Sequence, residues 1–282
     1  MALTEVALTE VALTEVALTG VASEPVRPLL VTGAAGRVGR QLRPLLVRPG
    51  RVLRLLDVAD QEPGAGVELV TASITDPAAM AAACAGAGAV LHLGGQSTEG
   101  PWDRVVELNI TGTRVVLDAA HAAGVRRVVL ASSHHVVGSM TIGSRIPAAA
   151  PPCPDSFYGV SKAAVEALGR LYHERFGMDV VCVRFGSVKP VPDDVRGLIT
   201  WQSGADAARL VEACLAASRP GFRIVWGVSA NTRGVFSLDE GRALGYHPRD
   251  DSEPYAALVG EGPEPTRIGG EFLARPLGGQ VG

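Results

Sequence analysis

Tyr158-Gly-Val-Ser-Lys162 sets a phenol and an ammonium four residues apart, which on a helix stacks them on one face. The pair suits one kind of chemistry: a base takes a hydroxyl proton while hydride leaves the same carbon. A free tyrosine has a pKa near ~10, so work near neutrality asks for a lowering of roughly 3 units, about 4 kcal/mol of differential stabilisation. A lysine ammonium one turn away supplies part of that field. Tyr-x-x-x-Lys alone arises by chance in many helices. Twenty-five residues upstream, however, Ser133 closes the apolar run RVVLASS, where its hydroxyl would bridge a substrate to Tyr158.

The hydride needs an acceptor, and the segment LLVTGAAGRVGRQL offers a place for one. An apolar strand pattern runs into Gly33, Gly36 and Gly39, and a helical pattern follows. Glycines suit a tight turn whose backbone must approach a pyrophosphate at a helix N-terminus. The run RVLRLLD then ends at Asp57, 18 residues after Gly39, as a dinucleotide site requires. Asp57 would hydrogen-bond the adenosine ribose and repel a 2′-phosphate, favouring NAD. Arg37 inside the turn could tolerate that phosphate, but Val58 and Ala59 after Asp57 are not basic, so NAD stays ahead. A bound nicotinamide would add its positive charge to the field on Tyr158, and Lys162 would also hold its ribose.

The elements that must position these groups alternate along the chain. Strands are expected at 28–32, 51–57, 67–72, 89–93, 127–132, 179–185 and 223–226, with helices notably at 104–123, 158–176 and 205–217. The continuous apolar character of the strands suits cover on both faces, and the alternation gives a doubly wound parallel sheet in an α/β fold. Pro44 falls inside the first helix and should kink or shorten it. Residues 2–21 repeat ALTEV with a five-residue period that makes no stable helical stripe, so residues 1–24 read as an extension, a frayed helix or disordered. Deleting residues 2–24 is expected to leave folding and activity nearly unchanged. A single domain is expected over 25–282, with a cofactor-binding core at about 25–186 and substrate-binding elements mainly at 187–282. The Gly- and Pro-rich tail from Gly260 either wraps the surface or covers the substrate cleft.

Composition narrows the possible partners. Hydrophobic residues make up 47% and charged residues 20% of the 282, which supports a buried core. Aromatics at 5% and a net charge of −3 with scattered Lys and Arg argue against nucleic acid and anionic lipid. No apolar run is long enough for a bilayer, and the acidic N-terminal repeat is no signal peptide. Cys84, Cys153, Cys182 and Cys214 form no C-x-x-C pair and suit buried, reduced thiols, so the expected compartment is the cytoplasm.

The order of glycine turn, strand-end Ser133 and Tyr158–Lys162 resembles the extended short-chain dehydrogenase/reductase family, with a Rossmann-like fold and a small C-terminal substrate-binding region. The stretches LHLGGQSTEGPW, ASSHHVVG, YGVSK, VRFGSVKPVPDDVR, TWQS and VWGVSAN are similar to those of NAD-dependent uronate dehydrogenases, which oxidise C1 of galacturonate or glucuronate to an aldarolactone. That resemblance implies substrate contacts from Ser97, Ser133, His134, His135, Ser187 and Arg196. It implies nucleotide contacts from Arg37, Val38, Asp57, Ile74, Leu93 and Gly94, beside the glycines. Asn109, in ELNITGT, matches the family's helix asparagine, which helps a water-linked proton relay reach the lysine; the other reading is a packing amide. Helices 104–123 and 158–176 look like the family's dimerisation helices, so a homo-oligomer is expected.

The set suits a small hydroxylated anion, because serines and imidazoles serve ring hydroxyls and a guanidinium forks onto a carboxylate. Plainer readings stand beside it. His134 and His135 could be packing residues; they make no metal pair, since adjacent histidines at a strand end are expected to point apart. Ser97 and Ser187 could cap turns, and Arg196 could pin its own loop by pairing with Asp193 and Asp194. The sequence departs from the family at His134, where asparagine is expected, and at Ser73, where an aspartate often contacts the adenine. The rivals are a nucleotide-sugar epimerase or dehydratase and a non-catalytic NAD-binding regulator. Only 95 residues follow Ser187, which is short for holding a nucleotide diphosphate, and a regulator has no need of Ser133, Tyr158 and Lys162 together.

Overall fold

The computed structural model describes residues 26–143 and 145–279; the ALTEV repeat lies outside the described residues. Seven parallel strands form the sheet, in the order β3-β2-β1-β4-β5-β6-β9. They are β1 (Leu29–Thr32), β2 (Leu53–Asp57), β3 (Val67–Thr71), β4 (Ala89–His92), β5 (Arg127–Ser133), β6 (Asp179–Phe185) and β9 (Phe222–Gly227). A two-stranded parallel ribbon of β7 (Ser187–Val188) and β8 (Trp201–Gln202) stands apart, and its brevity hid it from any periodicity argument. Strand order reverses between β1 and β4, and ligands of open α/β sheets bind at the carboxyl edge there.

Helices cover both faces. On one side α1 (Arg37–Leu46) and α7 (Gly204–Ala216) bury Leu42, Leu46, Leu210 and Val211 against Val31, Leu55 and Val183. On the other, α2 (Pro77–Cys84), α4 (Gly112–Ala122) and α5 (Phe157–Phe176) bury Met80, Val116 and Val165 against Leu30, Val90 and Val128. β3 is the exception to the expected double cover. As the edge strand it leaves Glu68, Leu69 and Thr71 exposed. Pro44 shortens α1 as expected: the helix ends two residues later, and the N–H of Val47 closes onto the Arg43 carbonyl.

Between α3 (Trp102–Val105) and α4 the helix widens into a π-helical turn, Val106–Thr111. The expected helix at 104–123 is therefore continuous but irregular at Asn109. A third apolar cluster, with Val136, Val137, Trp226, Phe236 and Ile268, lies beyond the sheet edge and anchors the C-terminal tail. The buried Arg184 guanidinium forks onto Glu166 through Nε and Nη2 at 2.8 Å each, and Ser132 donates to the same carboxylate at 2.6 Å, fixing β5 to α5 beneath the site. Among the described residues no helix is long and apolar enough to cross a membrane. Cys84, Cys182 and Cys214 are buried free thiols, and Cys153 is half-buried.

Candidate active site

A cavity of about 690 Å³ runs along the carboxyl edge of the sheet, and every site residue expected from the sequence except Asn109 lines it. At one end lies the glycine turn. Gly33 has φ +69°, and a Cβ there would come within 2.6 Å of the Gly94 nitrogen, so the β1 and β4 edges meet only through glycine. A Cβ on Gly39 would collide with the Ala34 carbonyl. No side chain caps α1 at Gly36 and no acidic residue stands in its first turn, so the positive helix end, with Arg37 and Val38, is left for an anion. Asp57 Oδ2 accepts from the Ala35 N–H at 2.9 Å and Oδ1 from that of Ala59 at 3.1 Å, holding the carboxylate at the cavity wall. Ile74, Leu93 and Gly94 complete the wall. A dinucleotide fits this donor set. Ser73 donates no free hydroxyl in the way an aspartate would offer a carboxylate; its Oγ is engaged with the Thr75 Oγ1 at 2.8 Å.

Asp57 thus braces the turn while its carboxylate faces the cavity. Asp57→Ala should lower kcat/KM for NAD by about tenfold or more, the worth of one charge-assisted hydrogen bond. NADP should lose less, so the preference narrows. Steady-state kinetics with both cofactors check this. Equal efficiency in the unsubstituted protein would hand the choice to Arg37.

Ser133 ends β5 and accepts the His135 N–H at 3.2 Å, opening a 3₁₀ turn over His134–Val137. Tyr158 lies in the first turn of α5, whose N-terminus is capped by Ser156 Oγ on the Gly159 N–H at 3.0 Å. Glu99, buried and unremarked in the sequence, accepts the Tyr158 N–H at 2.9 Å and the Gly278 N–H at 2.8 Å, tying α5 to the tail. Lys162, one turn on, donates to the Ala131 carbonyl at 2.9 Å, with its nitrogen 5.6 Å from the centre of the Tyr158 ring.

The lowering expected for the phenol takes Lys162 and a bound nicotinamide together; burial alone acts the other way. Burial pushes Tyr158 up to about 12, outweighing a hydrogen bond with Ser133 that favours the phenolate. Burial likewise pulls Lys162 down to about 8. Desolvation dominates because both groups sit inside the protein, and i,i+4 spacing carries no information about that.

The lysine's shift is also a stability statement. Its folded pKa of about 8 lies below the ordinary 10.5, so the folding penalty is fully present below pH 8 and lifts as pH rises through 10.5. In the cofactor-free protein, Lys162→Met should therefore raise the Tm at pH 7, with the gap closing towards pH 10.5, while turnover is lost. Thermal melts across that range check it; a lower Tm at pH 7 would contradict the buried charge.

Asn109 is spent on structure. Its Oδ1 accepts the Gln96 N–H at 2.7 Å, and its Nδ2 donates to the Gln96 carbonyl at 3.1 Å and to Ser161 Oγ at 2.8 Å. This amide packs the π-helical turn against α5 rather than facing the cavity.

The other end of the cavity holds the polar groups expected to meet a substrate. His135 Nδ1 donates to Asp155 Oδ2 at 2.7 Å, and Ser156 donates to Asp155 Oδ1 at 2.7 Å, which leaves His135 Nε2 for a ligand. Burial lowers the pKa of His135, opposed by Asp155. The two histidines do not point apart: their ring centres are 4.2 Å apart, because both lie in the 3₁₀ turn and not in the strand. Ser187 shares a hydrogen bond with Thr200 at 3.1 Å, and Ser97 lines the cavity nearby.

Arg196 opens α6 (Gly197–Thr200) and makes no ion pair among the described residues. Asp193 pairs with Lys189, and Asp194 caps the Gly197 N–H, so neither pins the arginine. The tail covers the cleft: Ile268 is buried, and Phe272 lies over His135 with ring centres 4.0 Å apart. Glu271, Phe272 and Arg275 line the same cavity. Sequence reasoning missed these, together with Asp155 and Glu99. The Ser156 cap signal and the acid before a helix start could have drawn attention to the last two; nothing in the tail's Gly/Pro-rich pattern marked Phe272.

Residues 29–201 match the NAD dependent epimerase/dehydratase family. The chain belongs to that family. Within it, the chain is similar to a uronate dehydrogenase of Pseudomonas putida, 39% identical over 244 residues that cover 86% of this chain and 91% of the relative. It is also similar to an NAD-dependent glucose-6-phosphate dehydrogenase of Haloferax volcanii, 38% identical with 81% and 95% covered. A mutant uronate dehydrogenase of Agrobacterium tumefaciens, solved in complex with NAD, superposes with a TM-score of 0.85 at 37% identity, covering 89% of this chain and 98% of that one. The fold is therefore shared with that solved structure, and the two relatives' different names leave the cavity's far end to decide what this epimerase/dehydratase-family member takes.

Proposed function

We propose that this chain is an NAD-dependent dehydrogenase that oxidises a hexuronic acid, D-galacturonate or D-glucuronate, at C1 to the aldarolactone. The observation that carries the reading is Arg196: a cavity-lining guanidinium without a carboxylate partner, at the end of the cavity away from the glycine turn. Bound NAD supplies the hydride acceptor. Tyr158 takes the proton of the C1 hydroxyl, Ser133 shares that hydroxyl's hydrogen bond, and Lys162 holds its charge beneath the phenol. His135, Ser97 and Ser187 serve the ring hydroxyls, and Phe272 keeps water from the reacting carbon. The likeness to uronate dehydrogenases over most of the chain supports this choice.

A homo-oligomer accompanies the reading, because α5 leaves Val160, Leu171 and Phe176 exposed at 38%, 50% and 49%. Light scattering should show more than one chain per particle.

The test is NADH formation at 340 nm with galacturonate, glucuronate, neutral aldoses, glucose 6-phosphate and UDP-sugars. The two uronates should be turned over and the UDP-sugars should not. Preference for glucose 6-phosphate, the substrate in the Haloferax relative's name, or turnover of a nucleotide sugar alone would replace the assignment.

A further inference from the structure

We propose that His134 is a positioning residue: its imidazole, locked in one tautomer from behind, accepts the hydrogen bond that aims the Arg196 guanidinium at the substrate's carboxylate. The inference rests on the uronate reading above and concerns how that specificity is built.

Both neighbours of the ring fix the same proton. Nδ1 lies 3.0 Å from the Phe185 carbonyl, which can only accept, so Nδ1 carries the hydrogen. Nε2 lies 3.0 Å from Arg196 Nη1, which can only donate, so Nε2 presents its lone pair. An imidazolium could not satisfy both contacts. Burial, with His135 and Arg196 adding to it, holds the His134 pKa well below the ordinary histidine value, so the neutral ring persists at working pH.

A second contact acts on the arginine from the opposite direction. Gly270, in the tail, has φ +56°, and a Cβ there would come within 2.6 Å of Arg196 Cδ and 3.0 Å of Nε. The stem of Arg196 thus lies between the tail backbone and the imidazole, with Nη1 committed to His134. Nη2 and Nε make no hydrogen bond among the described residues.

The family resemblance implies an asparagine at position 134. The tip of an asparagine reaches about as far as a histidine's Nδ1, so it would meet the Phe185 carbonyl or a substrate and stop short of Arg196. Histidine gives up that amide contact and orders the arginine in exchange. An ordered arginine does not lose its rotamer freedom at the moment of binding.

The experiment uses His134→Phe, which keeps a planar ring but no acceptor, and His134→Gln, whose terminal amide reaches about as far as Nε2. With the phenylalanine, KM for galacturonate should rise about 2- to 12-fold, the affinity equivalent of ordering one rotamer-rich side chain on binding. The rise should exceed that for a neutral aldose, kcat should change less than KM, and glutamine should recover most of the loss. Long-range ¹H–¹⁵N spectra of the unsubstituted protein should show His134 with a protonated Nδ1 and a bare Nε2 whose resonance moves in Arg196→Ala. Equal losses for acid and neutral sugars, no rescue by glutamine, or an Nε2 blind to Arg196→Ala would overturn the proposal. The underlying reading is judged separately: if Arg196→Ala itself shows no selective loss on uronates, the carboxylate anchor is wrong, whatever His134 does.

Discussion

Tyr158→Phe should lose at least about 100-fold in kcat, because a general base contributes ~10²–10⁴-fold and this one also positions the substrate hydroxyl. The ring stays, so α5 keeps its packing beside His135, whose ring centre lies 5.7 Å away, and the Ser156 cap is untouched. NADH binding, followed by fluorescence titration, should be preserved because the substitution leaves the glycine turn and the Asp57 contacts with Ala35 and Ala59 in place. The expected loss is in chemistry and not in affinity. The buried phenol, pushed up to about 12, also predicts that Tyr158 contributes no phenolate absorbance below pH 10, read as the difference between the unsubstituted protein and Tyr158→Phe. A variant that keeps more than about a tenth of kcat, well outside the range for a lost base, would show that another group takes the proton.

Arg196→Ala carries the second large effect. A charge-assisted fork to a carboxylate is worth roughly 1.5–3 kcal/mol, which is about 10- to 150-fold in affinity. KM for galacturonate should therefore rise by that factor, and a neutral aldose should lose far less. Arg196→Lys should recover part of the loss, since an ammonium keeps the charge but not the planar pair of donors. With Asp193 taken by Lys189 and Asp194 by the Gly197 N–H, alanine at 196 breaks no ion pair of its own loop. Parallel losses on acid and neutral sugars would nonetheless assign Arg196 to loop structure.

The fold was legible where burial is two-sided. A continuous apolar run such as DVVCVRF at Asp179–Phe185 reads as an inner strand because both its faces meet helices, and the structure places β6 there. Edge strand β3 shares the apolar signal but not the cover, since a sequence does not say which strand ends the sheet. The glycine turn and the Tyr158–Lys162 pair were readable because local geometry demands those residue types at those spacings.

What escaped depends on contacts between distant segments. Phe272 reaches His135 across 137 residues, and no period in a Gly/Pro-rich tail announces it. The π-helical turn at Val106–Thr111 forms where Asn109 must meet both Gln96 and Ser161, a requirement invisible to a helical wheel. The desolvation at Tyr158 was hidden for the same reason: spacing gives the neighbour, and only the packed structure gives the burial. The two histidines point together because β5 ends at Ser133 and both rings lie in the 3₁₀ turn that follows it.

The central claim is that hydride leaves C1 of a free hexuronic acid and stays with the cofactor. D-Galacturonate deuterated at C1, incubated with the enzyme and NAD, tests it atom by atom. The account predicts that the deuterium appears in the reduced nicotinamide in step with aldarolactone, one label per product, as read by mass spectrometry. Deuterium retained in the sugar while NADH forms would place the oxidation at another carbon, as in an epimerase or dehydratase, and would contradict the account.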